Sequence, residues 1–130
     1  MEVEISIGEL VDKVTILEIK LERISSPEKI ANVRREYDLL RPAMEAAGFA
    51  RQSPDFAALK RVNSKLWDIE DLIRAKERDK QFDEEFVRLA RSVYFANDER
   101  SDIKRRINVA TGSQLVEEKE HVDYDKQEPL

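Results

Sequence analysis

Apolar residues near the start of the chain recur three and four positions apart, the spacing of one face of an α-helix. Ser6 and Glu9 form a capping box where this pattern begins. It ends at Ser25-Ser26-Pro27, where Ser26 can cap a second helix and Pro27 can occupy its first position. The sequence therefore predicts a first helix after Ser6, with an apolar stripe made of Ile7, Leu10, Val14, Leu17, Leu21 and Ile24.

The second segment keeps this spacing as far as Gly48, a residue type that commonly ends helices in the left-handed conformation. Pro42 lies inside the segment, lacks a backbone N–H and disfavours helical geometry at Arg41. We therefore expect a kink or a break in the second helix near residue 41. The predicted stripe is Ile30, Val33, Tyr37, Leu40, Met44 and Ala47.

Two longer helices follow. Ser53 and Pro54 predict the start of the third helix, which should end near Asp79. Asp83 is the expected N-cap of the fourth helix, which Gly112 should close. The third stripe is Leu59, Val62, Leu66, Ile69 and Ile73, and the fourth is Phe86, Leu89, Val93, Ala96, Arg100, Ile103, Ile107 and Ala110. An arginine thus interrupts an otherwise apolar stripe.

Short connections between amphipathic helices favour an all-α fold of four helices, arranged as two antiparallel helical hairpins in a bundle. The third and fourth helices should each be about 40 Å long, at about 1.5 Å per residue. Long helices with narrow apolar stripes commonly complete their burial against a second copy, so we expect a homodimer. We assign residues 1–112 to the bundle domain and residues 113–130 to an acidic tail or arm.

Charge is distributed unevenly along the 130 residues. The formal net charge is −5, of which −4 belongs to residues 117–130, so the rest of the chain is almost neutral. A neutral body lacks the positive field of nucleic-acid-binding proteins, and Lys104-Arg105-Arg106 cannot form one patch because successive helical residues point in different directions. No apolar run could span a bilayer, and no secretory signal precedes the first helix. We expect a cytoplasmic protein with neither a nucleic-acid nor a membrane partner.

The usual catalytic and metal-binding patterns are missing. There is no cysteine, and the single histidine, His121, lies in the acidic segment. Three glycines could hardly build a phosphate-binding loop. Asp68, Glu70 and Asp71 lack histidine partners, and a solvated face is the simpler interpretation of that cluster. We expect no metal and no cofactor.

Polar residues beside the apolar stripes are the candidate site. Positions three or four apart share a helix face, which groups them as Asn97, Arg100 and Lys104 on the fourth helix, Asn63, Trp67 and Glu70 on the third, and Lys13 and Lys20 on the first. If the hairpins pack face to face, these side chains could converge on a pocket for a small anionic ligand. Alternatively, Arg100 pairs with a buried carboxylate, Glu70 or Asp12, and Trp67 is a core anchor.

Three segments resemble a family of small bacterial and phage proteins classed only as a domain of unknown function. They are Ile7-Gly8-Glu9-Leu10-Val11-Asp12-Lys13, Leu66-Trp67-Asp68-Ile69-Glu70 and Val93-Tyr94-Phe95-Ala96-Asn97-Asp98-Glu99-Arg100. The resemblance covers most of the chain, to about residue 120, and implies a self-standing domain but no reaction. A looser resemblance to the all-helical chorismate mutases implies a dicarboxylate site using Arg100, Lys13 or Lys20, and Glu70, although the spacing of the basic residues differs.

Two functions from different classes follow. The first is a non-enzymatic helical interaction or scaffold module that acts by self-association and by binding a protein partner. The alternative is a binding site for a small anionic ligand within the bundle, with mutase-like chemistry as its most concrete form.

Overall fold

A computed structural model describes residues 1–124 of the chain and shows four α-helices in that range, with no strand. They are α1 (Ile7–Arg23), α2 (Pro27–Ala46), α3 (Pro54–Arg78) and α4 (Glu84–Thr111). Their contacts are those of a helical bundle. The predicted all-α fold of four helices is confirmed.

Each helix begins where its capping residue predicted. The side chains of Ser6, Ser26, Ser53 and Asp83 accept hydrogen bonds from backbone N–H groups in the first turns of α1, α2, α3 and α4. Such bonds satisfy N–H groups that have no partner within the helix. The cap signals are local in the sequence, and they fix the starts of all four helices.

Of the kink or break expected near residue 41, the break is absent, because α2 continues through Pro42 to Ala46. Pro42 lies only four residues before that end, so few helical hydrogen bonds follow it. Its ring removes one backbone bond, to the carbonyl of the exposed Asp38, which solvent can reach. Farther along, the buried side chains of Met44 and Phe49 anchor the end of the helix to the core.

Helix α1 is the centre of the bundle. It packs against α2, α3 and α4, whereas α2 packs only against α1. The core between them contains Val11, Val14, Leu17, Phe56, Leu59, Val62, Ala96, Ile103 and Ile107, among other buried apolar side chains. Ion pairs join the start of α3 to the end of α4, through Asp55 and Arg106, and the end of α3 to the start of α4, through Lys76 and Asp83. These cross-links are those expected of an antiparallel helix pair.

Gly8 allows α1 and α4 to approach closely. A Cβ atom at this position would lie 2.6 Å from the backbone carbonyl oxygen of Lys104, which is far inside van der Waals contact. The Gly8 N–H also donates to Asn108 Oδ1 at 2.6 Å. Any side chain here would separate the two helices and break this bond.

Residues 113–124 have no regular secondary structure but lie against the helices. Ser113 accepts a hydrogen bond from the Ile7 N–H, and Glu117 accepts bonds from Ser6 and Asn108. Tyr124 packs edge-on against Tyr94 and Phe95. We refer to residues 113–124 as the arm. The remainder of the predicted tail, residues 125–130, lies outside the described residues.

None of the helices in the described part of the chain combines the length and apolar character that crossing a membrane would require.

Candidate functional site

A buried carboxylate, Asp12, organises the polar centre of the bundle. It is 1% exposed and accepts two hydrogen bonds from Arg100, from Nε at 2.9 Å and from Nη2 at 2.5 Å. Asn63 Nδ2 donates to the same carboxylate at 2.9 Å and to Thr15 Oγ1 at 2.9 Å. The hydrogen bonding of Arg100 to Asp12 raises the pKa of Arg100 above its usual value, with burial acting in the opposite direction. Of the partners considered for Arg100, Asp12 is the one it bonds.

This polar centre borders a cavity of about 200 Å³ between α1, α3 and α4. Apolar side chains line one part of it: Ile16, Ile19 and Leu66. The remaining lining residues are five of the eight candidate site residues: Asn63, Trp67, Glu70, Asn97 and Arg100. The helical spacing that grouped these residues in the sequence is thus matched by their convergence in space.

The three candidate lysines do not line this cavity. Lys104 binds Glu9 at 2.7 Å, and Lys13 lies 3.7 Å from the same carboxylate. Lys20 is half-buried on α1 and belongs to neither group. Among the described residues, the single cation that borders the cavity is Arg100, whose charge Asp12 already balances. The arrangement therefore offers an anionic ligand no uncompensated positive charge.

A second buried carboxylate, Glu18, links α1 to α2, α3 and the loop between them. It accepts hydrogen bonds from Arg51 at 2.7 and 2.8 Å, from Lys60 at 3.0 Å and from Tyr37 at 2.8 Å. Burial raises the pKa of Glu18, but these hydrogen bonds outweigh burial and hold the pKa below its usual value of 4.5. The Arg51 guanidinium also stacks on Phe56, 4.3 Å from the ring centroid.

Sequence reasoning missed this second network. Its only signal was that a charged residue stands next to Leu17 on the side of α1 that faces the other helices. Nothing local to Glu18 indicates that a loop arginine 33 positions away would reach it. The arm contacts of Glu117 were missed for a similar reason, since nothing in an acidic segment indicates that one of its carboxylates accepts hydrogen bonds from Ser6 and Asn108.

The end of the α3–α4 pair that extends beyond α1 contains no buried residue. Arg23, the last residue of α1, pairs with Asp68 and lies 5.8 Å from the centroid of the Trp67 ring. Helix α3 continues for ten more residues, to Arg78. No residue from Glu70 to Arg88 is buried, and three large apolar side chains there are more than half exposed: Leu72, Phe82 and Val87. We refer to residues 71–88 as the hairpin tip.

No group of three or more histidine, aspartate or glutamate side chains within residues 1–124 is placed to hold a metal ion.

Comparison with known proteins places this architecture in one family. A family of unknown function (DUF6165) matches residues 1–125, which is nearly the whole chain. Searches of the curated proteins and of the solved structures gave no match. The resemblance to a family of unknown function is thereby confirmed.

Proposed function

We propose that this chain, which belongs to the family of unknown function DUF6165, acts as a helical interaction module that pairs with a second copy through its hairpin tip. The observation that carries this proposal is the exposure of Leu72, Phe82 and Val87 beyond the end of α1. Large apolar side chains exposed among charged residues are a common feature of protein–protein contact surfaces.

The charges of the hairpin tip favour a second copy as the partner. The last turn of α3 is basic, with Lys76 and Arg78, whereas the first turn of α4 is acidic, with Glu84 and Glu85. Because Lys76 and Glu85 pair within one chain, a two-fold axis would leave Arg78 at the end of one α3 to meet the acidic start of the partner's α4. Residues 71–88 hold six acidic and five basic residues, so two tips repel each other little.

The tip is also internally stabilised. Lys76 bridges to Asp83 at 2.9 Å and to Glu85 at 3.2 Å, which ties the end of α3 to the start of α4. The hydrogen bond from Lys76 lowers the pKa of Asp83, and the bond from the Phe86 N–H acts in the same direction. A surface held in one conformation loses less entropy on association.

Light scattering tests the proposal. The chain has a mass of 15.2 kDa, and at about 100 μM its weight-average mass should approach twice that value. Leu72→Glu and Val87→Glu should each return the mass to one chain without changing helicity, because both side chains are exposed. Val109→Glu is the matched control, since Val109 is 68% exposed on α4 but lies outside the tip.

A chain that remains monomeric at this concentration contradicts self-association. If Val109→Glu alone dissociates the pair, a pairing surface exists but lies at the other end of α4, and the tip is excluded.

A further inference from the structure

The geometry points to a binding site for a small organic cation, a primary amine with an apolar body, in the cavity between α1, α3 and α4. This inference does not depend on the proposed pairing of hairpin tips. It rests on two acceptors of the cavity wall, Asn63 Oδ1 and the Glu70 carboxylate, to which none of the described residues donates.

The first of these atoms belongs to Asn63, whose side chain is buried, with 7% exposure for the residue. Asp12 can only accept hydrogen bonds when ionised, so it fixes the Asn63 amide with Nδ2 towards the carboxylate. Both Nδ2 hydrogens are then used, by Asp12 and by Thr15. No atom of residues 1–124 donates to Asn63 Oδ1, and because no enclosed side-chain oxygen in that range lacks a partner, this acceptor is reachable from solvent at the cavity.

The second feature is the charge balance of the wall. The positive charge of Arg100 is matched by Asp12, and that of the neighbouring Arg23 by Asp68. Glu70 lines the cavity, and its carboxylate forms no ion pair and no hydrogen bond with any residue that the structure describes. Glu70 also interacts through space with Arg100, but Arg100 is already paired with Asp12, so these three groups together carry one negative charge, which favours a cationic ligand.

The third feature is the match between the wall and an amine with an apolar body. An ammonium group donates three hydrogen bonds, and Glu70 and Asn63 Oδ1 are acceptors at this cavity. The apolar body would lie against Ile16, Ile19 and Leu66, with Trp67 also in the cavity wall. Apolar walls with a few convergent polar groups are the usual composition of small-molecule sites.

The single tryptophan of the chain gives a direct measurement. Because Trp67 lines the cavity, its fluorescence should change when the cavity is filled. The probes are phenethylamine, the neutral 2-phenylethanol and the anionic 3-phenylpropionate, which share an aromatic body and differ in charge. Phenethylamine should bind at least tenfold more tightly than either of the others.

Glu70→Gln removes the charge and keeps the shape of an exposed side chain, so it should fold like the parent. In this variant the affinity for phenethylamine should fall at least fivefold, while the affinity for 2-phenylethanol should not change. Glu77→Gln is the matched control, because Glu77 is exposed on the same helix and does not line the cavity. The monomerising variant Leu72→Glu should bind phenethylamine as the parent does, which separates this inference from the proposed pairing.

Three outcomes would overturn the inference. One is the absence of any fluorescence change with phenethylamine up to about 10 mM, a weak limit for a ligand of this size. Another is tighter binding of 3-phenylpropionate, which would mean that the charge of Arg100 dominates the cavity. The third is an unchanged amine affinity in Glu70→Gln.

Discussion

At the scale of single residues, Asp12 decides what Arg100 does. A carboxylate that is 1% exposed needs a partner charge, and Arg100 supplies it through two hydrogen bonds. Asn63 occupies a third acceptor position of the same carboxylate. The arginine that interrupts the stripe of α4 is thus the counter-charge of a buried acid on α1.

Arg100→Met should destabilise the fold by about 3–5 kcal/mol, because it leaves Asp12 charged, buried and without a counter-ion. Urea unfolding followed by circular dichroism measures the loss. Adding Asp12→Asn should restore at least half of the lost stability, since the buried charge is then removed. Arg106→Met is the control, because its ion pair with Asp55 is exposed and should contribute less than about 1 kcal/mol. A single Arg100→Met variant as stable as the parent would contradict this role.

Glu18 predicts how stability depends on pH. Its folded pKa is held below 4.5, so its contribution is present above that value and is lost as the pH falls through the folded pKa. The free energy of unfolding should therefore decrease as the pH is lowered from about 5 to about 3. Glu18→Gln should be less stable than the parent at pH 7, and the difference should shrink over this acidic range.

The control for this pH series is Glu36→Gln, an exposed position in the middle of α2 that should leave the slope unchanged. The difference in the free energy of unfolding between Glu18→Gln and the parent could instead stay constant from neutral to acidic pH. That result would show that the network stabilises the fold by packing rather than by charge.

The sequence predicts such residues only in part. Arg100 could be recognised because one charged side chain interrupts a run of apolar positions spaced for burial. Charge alone predicted that the partner of Arg100 is the carboxylate of Asp12 or of Glu70. It could not decide between them, because the helix packing that brings residues 12 and 100 together depends on residues far apart in the sequence. Glu18 was missed because its three partners lie on α2, on α3 and in the loop between them.

At the scale of elements, the helices were predictable because their signals are local. Capping residues and three-four spacing operate within one or two turns, and the four helices begin where these signals place them. Pro42 was the exception, since the strength of a proline break depends on the helix that follows it. Here only one turn follows, and tertiary contacts of Met44 and Phe49 hold it.

The ends of α2, α3 and α4 share one hydrogen-bond pattern, in which a backbone N–H just past the helix donates to the carbonyl five residues earlier. In each case the residue before that N–H has a positive φ, but the three ends differ in which residue type occupies this position. The ends of α2 and α4 place Gly48 and Gly112 there, with φ of 94° and 66°. The end of α3 places Lys80 there, with φ of 52°, while the Gln81 N–H bonds the Lys76 carbonyl. A side chain in this conformation costs energy that glycine avoids.

Lys80→Gly should therefore stabilise the fold by about 1 kcal/mol, which thermal unfolding can measure. Lys80→Ala removes the same charge but keeps a Cβ atom, so it should show no comparable gain. If both variants gain equally, the effect comes from the lost charge and not from the backbone.

At the scale of the whole molecule, α1 joins three polar networks in sequence along its length. Gly8 connects to the end of α4, Asp12 to α3 and α4, and Glu18 to α2 and α3. Each network uses residues far apart in the chain, and each restricts how the helices can slide past one another. This explains why spacing predicted the bundle but not which faces of the helices meet.

The arm extends the first of these networks beyond the last helix. Glu117 accepts hydrogen bonds from Ser6, the N-cap of α1, at 2.5 Å and from Asn108 at 2.9 Å. Burial raises the pKa of Glu117, but the bonds from Ser6 and Asn108 leave the pKa below its usual value. Asn108 is itself 1% exposed and holds the Gly8 N–H through Oδ1. One carboxylate of the arm therefore supports the contact between the start of α1 and the end of α4.

Glu117→Ala should consequently destabilise the whole bundle by about 1–2 kcal/mol, although it changes one residue outside every helix. The physical reason is that Asn108 Nδ2 loses its acceptor at a buried position. Glu120→Ala is the matched control, because Glu120 is exposed like Glu117 but accepts no hydrogen bond from a described residue, and it should leave the melting temperature unchanged. Amide hydrogen exchange shows which part of the bundle is weakened. In the Glu117 variant, the amides at the start of α1 and at the end of α4 should lose protection before those of other regions. If Glu117→Ala and Glu120→Ala melt together with the parent, the arm lies on the bundle without supporting it, and residue 112 marks the end of the cooperative domain.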